Sequence, residues 1–147
     1  MRLGSGKTAR SLGRTKMKTK IPDRNRTRYG WWVATLVERY EYFDEDKANL
    51  NRRCTSWLNT ILIKARDRNE AYRKALVQGN VCTDSVCGPV NGRLGHWVFE
   101  GLSCLLPIYD KLEDGAEIMW EQAENITVKT VKSCVREKKY LECFQDH

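Results

Sequence analysis

The chain lacks any run of about 18 apolar residues, the length a membrane-spanning helix needs, so none is expected. No apolar segment follows the basic N-terminal residues, which argues against a secretory signal. Histidine is scarce: His96 and the terminal His147 are the only two. Acid is nearly missing from residues 1–28, where Asp23 stands alone. No turn of the kind that presents a nucleophile is recognisable, so the sequence supplies no catalytic residues and calls for no cofactor. From these absences a cytoplasmic, non-enzymatic chain is expected. In that compartment the six cysteines (Cys54, Cys82, Cys87, Cys104, Cys134, Cys143) are expected to be mostly thiols.

What is present divides sharply by charge. The formal charge of the whole chain is +7 over 147 residues, enough for one domain with a modest core. Residues 1–28 alone carry +9, and the remaining 119 carry −2. Basicity therefore belongs to a tail, residues 1–28, too poor in apolar groups to offset its ordering entropy and expected to be disordered. A single domain over residues 29–147 follows. Gly4-Ser5-Gly6-Lys7-Thr8 has the flavour of a phosphate loop, but no strand precedes it to aim it, and chance in a basic tail accounts for it. Met17 offers an alternative start that would shorten the tail.

The stretch Cys54 to Gly79 reads as a strand, a turn and a helix. Trp57, Leu58, Ile61, Leu62 and Ile63 form a short, partly β-branched apolar run. Asp67 suits a helix N-cap, Glu70 can reach back as in a capping box, and Gly79 suits the helix exit. Ala71 with Ala75, and Tyr72 with Leu76, mark the buried side of the helix. In the strand, Trp57, Ile61, Ile63 and Ala65 fit the helix-covered face while Leu58 and Leu62 point the other way, which suggests a central strand.

Around this centre Trp31 to Val37 form a first strand, with Trp32, Ala34 and Leu36 inward, leading past Tyr40 and Tyr42 to an exposed end. Residues 80–93 form a loop. Leu94 to Leu106 form a long strand in which Trp97, Phe99 and Gly101 share a face, Gly101 permits a bulge, and Pro107 limits the strand. Glu117 to Glu121 form a fourth strand with Ile118 and Trp120 inward. Val128, Val131, Cys134, Val135 and Leu141 fall on one side of a C-terminal helix that could cover the second face of the sheet. The fold class expected is α+β: an antiparallel sheet of about four strands in the order β-β-α-β-β, one helix on a face, and a C-terminal helix.

The motifs Trp31-Trp32-Val33-Ala34-Thr35-Leu36, Ile61-Leu62-Ile63-Lys64-Ala65 running into Glu70-Ala71-Tyr72-Arg73-Lys74-Ala75, Trp97-Val98-Phe99-Glu100-Gly101-Leu102 and Asp114-Gly115-Ala116-Glu117-Ile118 follow one another in order. In that order and spacing, the chain resembles a small bacterial family, domain-of-unknown-function family 4288, over about residues 30–145. The resemblance implies a compact α+β domain with no assigned reaction and no catalytic residues to carry over. The Cys82/Cys87 pair and the long tail depart from the family's pattern.

Several constellations remain open. Cys82 and Cys87 with His96 and another cysteine could bind zinc, or the two thiols could form a redox-sensitive pair; unlinked loop thiols are the blander reading, since no second close cysteine pair exists. His96 could act as a general base, and Glu38, Glu41, Glu100, Asp110, Asp114 and Glu117 could converge at strand ends, though solvated carboxylates are commoner. Cys54 and Cys104 read as buried fillers. The five tryptophans suit sheet packing, but adjacent Trp31 and Trp32 face opposite sides, so the second face needs a cover. The lead expectation is a protein-binding accessory or immunity-type domain, contacting a partner or a second copy through Trp31, Tyr40, Tyr42, Leu58 and Leu62. The alternative is nucleic-acid contact by Arg10, Arg14, Lys16, Lys18, Lys20, Arg24, Arg26 and Arg28 of the tail. That tail lacks aromatics interleaved for base stacking.

Overall fold

Trp31 to Val37 is aromatic and β-branched, and in a computed structural model describing residues 25–81 and 88–145 it opens the strand β1, Trp31–Tyr42. Ser56–Lys64 forms β2, Arg68–Val81 forms α1, and Gly95–Pro107 forms β3. All pairing is antiparallel, in the order β2-β1-β3. Among the described residues the central strand is therefore β1, and β2 is an edge strand rather than the expected centre. The alternation expected of β2 is present, but alternation reports which face a residue occupies and not which neighbours flank the strand.

One face of the sheet carries the core. Trp32, Ala34, Ile63 and Ala65 pack with Ala71 and Ala75 of α1, and Ile61, Leu102 and Leu105 close the margin. The Trp32 indole donates to the Ala65 carbonyl at 3.2 Å, so its one polar group is satisfied inside. The helix begins where its caps require: the Glu70 amide donates to Asp67 Oδ1 at 2.9 Å, and the Ala71 amide to the Asp67 carbonyl at 3.0 Å. Glu70 reaches back one residue further than a capping box would, accepting from the Arg66 amide at 2.8 Å. Its end differs from expectation. The helix runs through Gly79 to Val81, and Gly79 is buried against β3, where a Cβ would run into the tip of the Phe99 ring. Gly79 thus serves close approach rather than helix exit. The buried stripe is Ala71, Ala75 and Gly79, while Tyr72 is half exposed.

β3 spends 13 residues against 11 of β1, because Ser103 and Glu100 are each bypassed in the register. These are two bulges. Gly101, with φ at 147°, sits beside the second, as its residue type suggested. The bulges change which residues share a face: Trp97 and Phe99 lie with Leu102, and Gly101 pairs with Val37 on the other side.

The fourth strand and the docked C-terminal helix are not formed. After Pro107 the Ile108 amide still donates to the Trp31 carbonyl at 2.9 Å, and Ile108 is buried. Beyond it the backbone is satisfied locally: the Glu117 amide donates to Asp110 Oδ2 at 3.0 Å, and the Ala116 amide to the Glu113 carbonyl at 2.9 Å. Amides held that way do not enter a ladder, and Glu117 to Glu121 is irregular, with Trp120 half-buried and Ile118 exposed. The C-terminal helix α2 shrinks to Val128–Ser133, capped by Thr127, and two single turns follow at Lys138–Tyr140 and Glu142–Phe144. Val128, Val131, Val135 and Leu141 are all exposed, so nothing among the described residues offsets the low helix propensity of the valines.

Candidate binding surface

The second face of the sheet is closed on one flank and open on the other. Val33 and Thr35 of β1 are buried there, and Cys104 of β3 is partly covered. Burial pushes the Cys104 thiol up, and the nearby Glu121 carboxylate adds to the shift, which places the segment after Pro107 near β3. On the β2 side, Leu58 is 65% exposed and Leu62 50% exposed. They pair with Val37 and Val33 across the ladder, so together they make an apolar strip at the sheet's edge.

Hydrogen bonding at that edge follows from two contacts flanking the ladder. The Tyr40 amide donates to the Thr55 carbonyl at 2.8 Å, and the Ala65 amide to the Gly30 carbonyl at 2.9 Å. Both belong to the register that pairs β1 with β2, so the odd-numbered residues of β2 form the hydrogen-bonded pairs. The amides and carbonyls of Leu58, Thr60 and Leu62 therefore face away from β1. At the end of the strand the outward Lys64 carbonyl accepts from Lys74 Nζ at 2.7 Å. Between β2 and α1 runs an open groove lined by Ile61, Ile63, Arg73, Lys74, Val77 and Gln78.

The remaining expected partner residues lie elsewhere. Tyr40 is fully buried and Tyr42 nearly so, packed edge-on at 5.3 Å from one another. Tyr40 also meets Trp97 at 5.3 Å, and its hydroxyl donates to the Gly88 carbonyl at 3.3 Å. Neither tyrosine can present a surface. The strand end was expected to be exposed because it carries charge, but those charges are neutralised. Trp31 is partly covered, with Lys64 Nζ 5.0 Å from its ring centre.

Glu41 is the hub of that neutralisation. Its carboxylate meets Arg39 at 3.0 Å, Lys47 at 3.2 Å and Arg52 at 3.4 Å, with His96 Nε2 at 3.8 Å. Burial pushes the Glu41 carboxyl up, but hydrogen bonds from Arg39 and Lys47 and the attraction of their charges outweigh it and hold it below its ordinary value. Arg39 also pairs with Glu100 at 2.5 Å, the bulge residue of β3. Of the acids expected to converge, only Glu41 and Glu100 share a cation; Glu38 lies on the opposite face with Asn59, and Asp110 holds the Glu117 amide. The cluster is an ion-pair network in which both Glu41 oxygens are engaged by cations, the pattern of a structural ion-pair network rather than of a poised acid and base.

Among the described residues no group of three metal-ligating side chains occurs. Cys82 and Cys87 lie outside the described residues, as do Arg10, Arg14, Lys16, Lys18, Lys20 and Arg24 of the tail. Arg28 stacks over Tyr29 with 5.5 Å to the ring centre. Cys54 is exposed, just before β2, and not a filler. No helix among the described residues is long and apolar enough to cross a membrane.

The fold and its open edge define a small α+β domain, a three-stranded antiparallel sheet with one helix on a face. The family model Domain of unknown function (DUF4288) matches residues 31–120, and the chain belongs to that family. The match starts with β1 and stops at Trp120, short of residue 145, so α2 lies beyond it. No curated protein and no solved structure matches the chain.

Proposed function

We propose that the domain is a non-enzymatic binding module that engages another protein through the outer flank of β2. The observation that supports this is the exposure of Leu58 and Leu62 on an edge strand whose neighbours Val33 and Ile63 are buried. Water-facing leucines in register along an edge cost solubility and are normally covered or broken by charge. Leu58→Glu combined with Leu62→Glu tests the reading, since both side chains are largely exposed and the fold should tolerate the change. Tagged wild type should retain a specific protein from lysate that the double variant, folded by circular dichroism, fails to retain. Equal recovery by both, or no specific recovery by either, removes the reading.

A second reading is favoured by the charge segregation, +9 in residues 1–28 against −2 in the rest. A tail of that kind would bind nucleic acid through phosphates, independently of sequence. It would act beside the β2 flank and not through it.

A further inference from the structure

Resting on the protein-binding reading above, we infer the mode of contact and the chemistry of the partner: an extended segment of another protein, alternating apolar and acidic residues, adds as a strand to the outer edge of β2 and lies in the groove beside α1. The outward-facing main-chain groups come first. Leu58, Thr60 and Leu62 direct their amides and carbonyls outward, and β2 contains no proline, no glycine and one charge, Lys64, at its end. Natural edges are protected by such devices, and here they are missing along the middle of the strand. An added strand satisfies those groups and is the known way for an extended peptide to use a sheet edge.

The groove supplies the specificity. Side chains of an added strand alternate between the two faces of the sheet. One set would fall between Ile61 and Val77, along a rim made by Arg73 and Lys74; the other would lie over Leu58 and Leu62. Among the described residues no acid lines the groove. Glu70, the one acid of α1, is engaged by Arg66 at 3.1 Å and faces Lys74 at 3.7 Å. Charge complementarity therefore selects acidic side chains on the helix side. It also disfavours a second copy of this chain, because two β2 edges paired about a two-fold axis would bring two Arg73/Lys74 rims to the same side of one continuous sheet.

The test uses the full isotope-labelled chain and four end-blocked octapeptides: alternating valine and glutamate, alternating valine and lysine, and two forms of the glutamate peptide with alternate amides N-methylated in one phase or the other. The glutamate peptide should bind at least tenfold more tightly than the lysine peptide and slow amide exchange at Leu58, Thr60 and Leu62. N-methylation in one phase should abolish binding. Thr60→Pro removes an outward N–H while leaving the β1 ladder bonds intact, and should abolish binding in a protein that still melts cooperatively. Arg73→Glu with Lys74→Glu should reverse the preference between the two charged peptides. Binding that survives Thr60→Pro and N-methylation but fails in the Leu58→Glu/Leu62→Glu variant overturns strand addition and leaves the protein-binding reading standing. Exchange slowed only by self-association at high protein concentration overturns it in favour of a second copy, and no binding of any peptide at millimolar concentration overturns it outright.

Discussion

Gly79 carries a burden that no helix-propensity argument would assign to it. Alanine gains about 1 kcal/mol over glycine inside a helix, but at this position a Cβ meets the Phe99 ring, and overpacking of that kind costs about 1–3 kcal/mol. Gly79→Ala is therefore expected to lower stability by about 1 kcal/mol, the clash outweighing the propensity. Chemical denaturation of Gly79→Ala, Phe99→Leu and the double variant checks the cause. The double variant should be more stable than the sum of the single effects allows, since the smaller side chain vacates the space. Glu41 makes a second prediction, in pH. Its folded-state pKa is depressed below the ordinary 4.5, so its contribution is complete above that value and is lost as pH falls through the lower folded one. Glu41→Gln should cost about 1 kcal/mol at pH 7, the scale of a partly solvated ion-pair network. The gap between variant and wild type should close progressively in denaturation curves taken below pH 4.5, and a gap that widened with acid would contradict the assignment.

At the scale of elements, β1, β2, α1 and β3 were all legible, because each is announced by a run of residues whose chemistry belongs to its own segment. Asp67 marks the start of α1 and caps it. Leu58 and Leu62 were legible as residues facing away from the helix, which is why the candidate surface could be anticipated. What failed to show were relations between segments. Neither strand order nor the approach of Phe99 to Gly79 is written in either segment alone. The bulges at Glu100 and Ser103 shift a face by one residue each, and only pairing with β1 reveals them. The burial of Tyr40 and Tyr42 is hidden for the same reason: the charge beside them on Glu41 is neutralised by Lys47 and Arg52, which come from the following loop. Glu117 to Glu121 and Val128 to Leu141 had the apolar pattern of elements without a neighbour to complete them. Because residues 121–145 are exposed throughout, ending the chain at Glu124 should leave the unfolding free energy within about 0.5 kcal/mol of the full chain, as surface changes do. A larger loss would mean that the C-terminal segment packs on the sheet after all.

For the whole molecule, the division of charge separates the two proposed contacts, which need not interfere. The β2 edge offers outward backbone groups and a short basic rim. The tail offers net charge alone, eight Lys or Arg against one acid over residues 1–24. Contact with duplex nucleic acid through such groups releases condensed counterions, at about −0.9 in the log–log salt slope per phosphate neutralised. If about half of those eight groups engage phosphates, the slope should lie near −3.6, a loss of more than a hundredfold in affinity between about 50 and 200 mM salt. Fluorescence anisotropy with a labelled duplex of mixed sequence measures this directly. Removing residues 1–24 should abolish the binding and its slope, because the remaining body is close to neutral. Affinity for the valine–glutamate peptide should be unchanged by the same truncation, and the Thr60→Pro variant should show the reverse pattern. A duplex affinity that survived the truncation would move the phosphate contact onto the folded body, where Arg73 and Lys74 form the basic rim, and would place nucleic acid and the partner strand in competition for one edge.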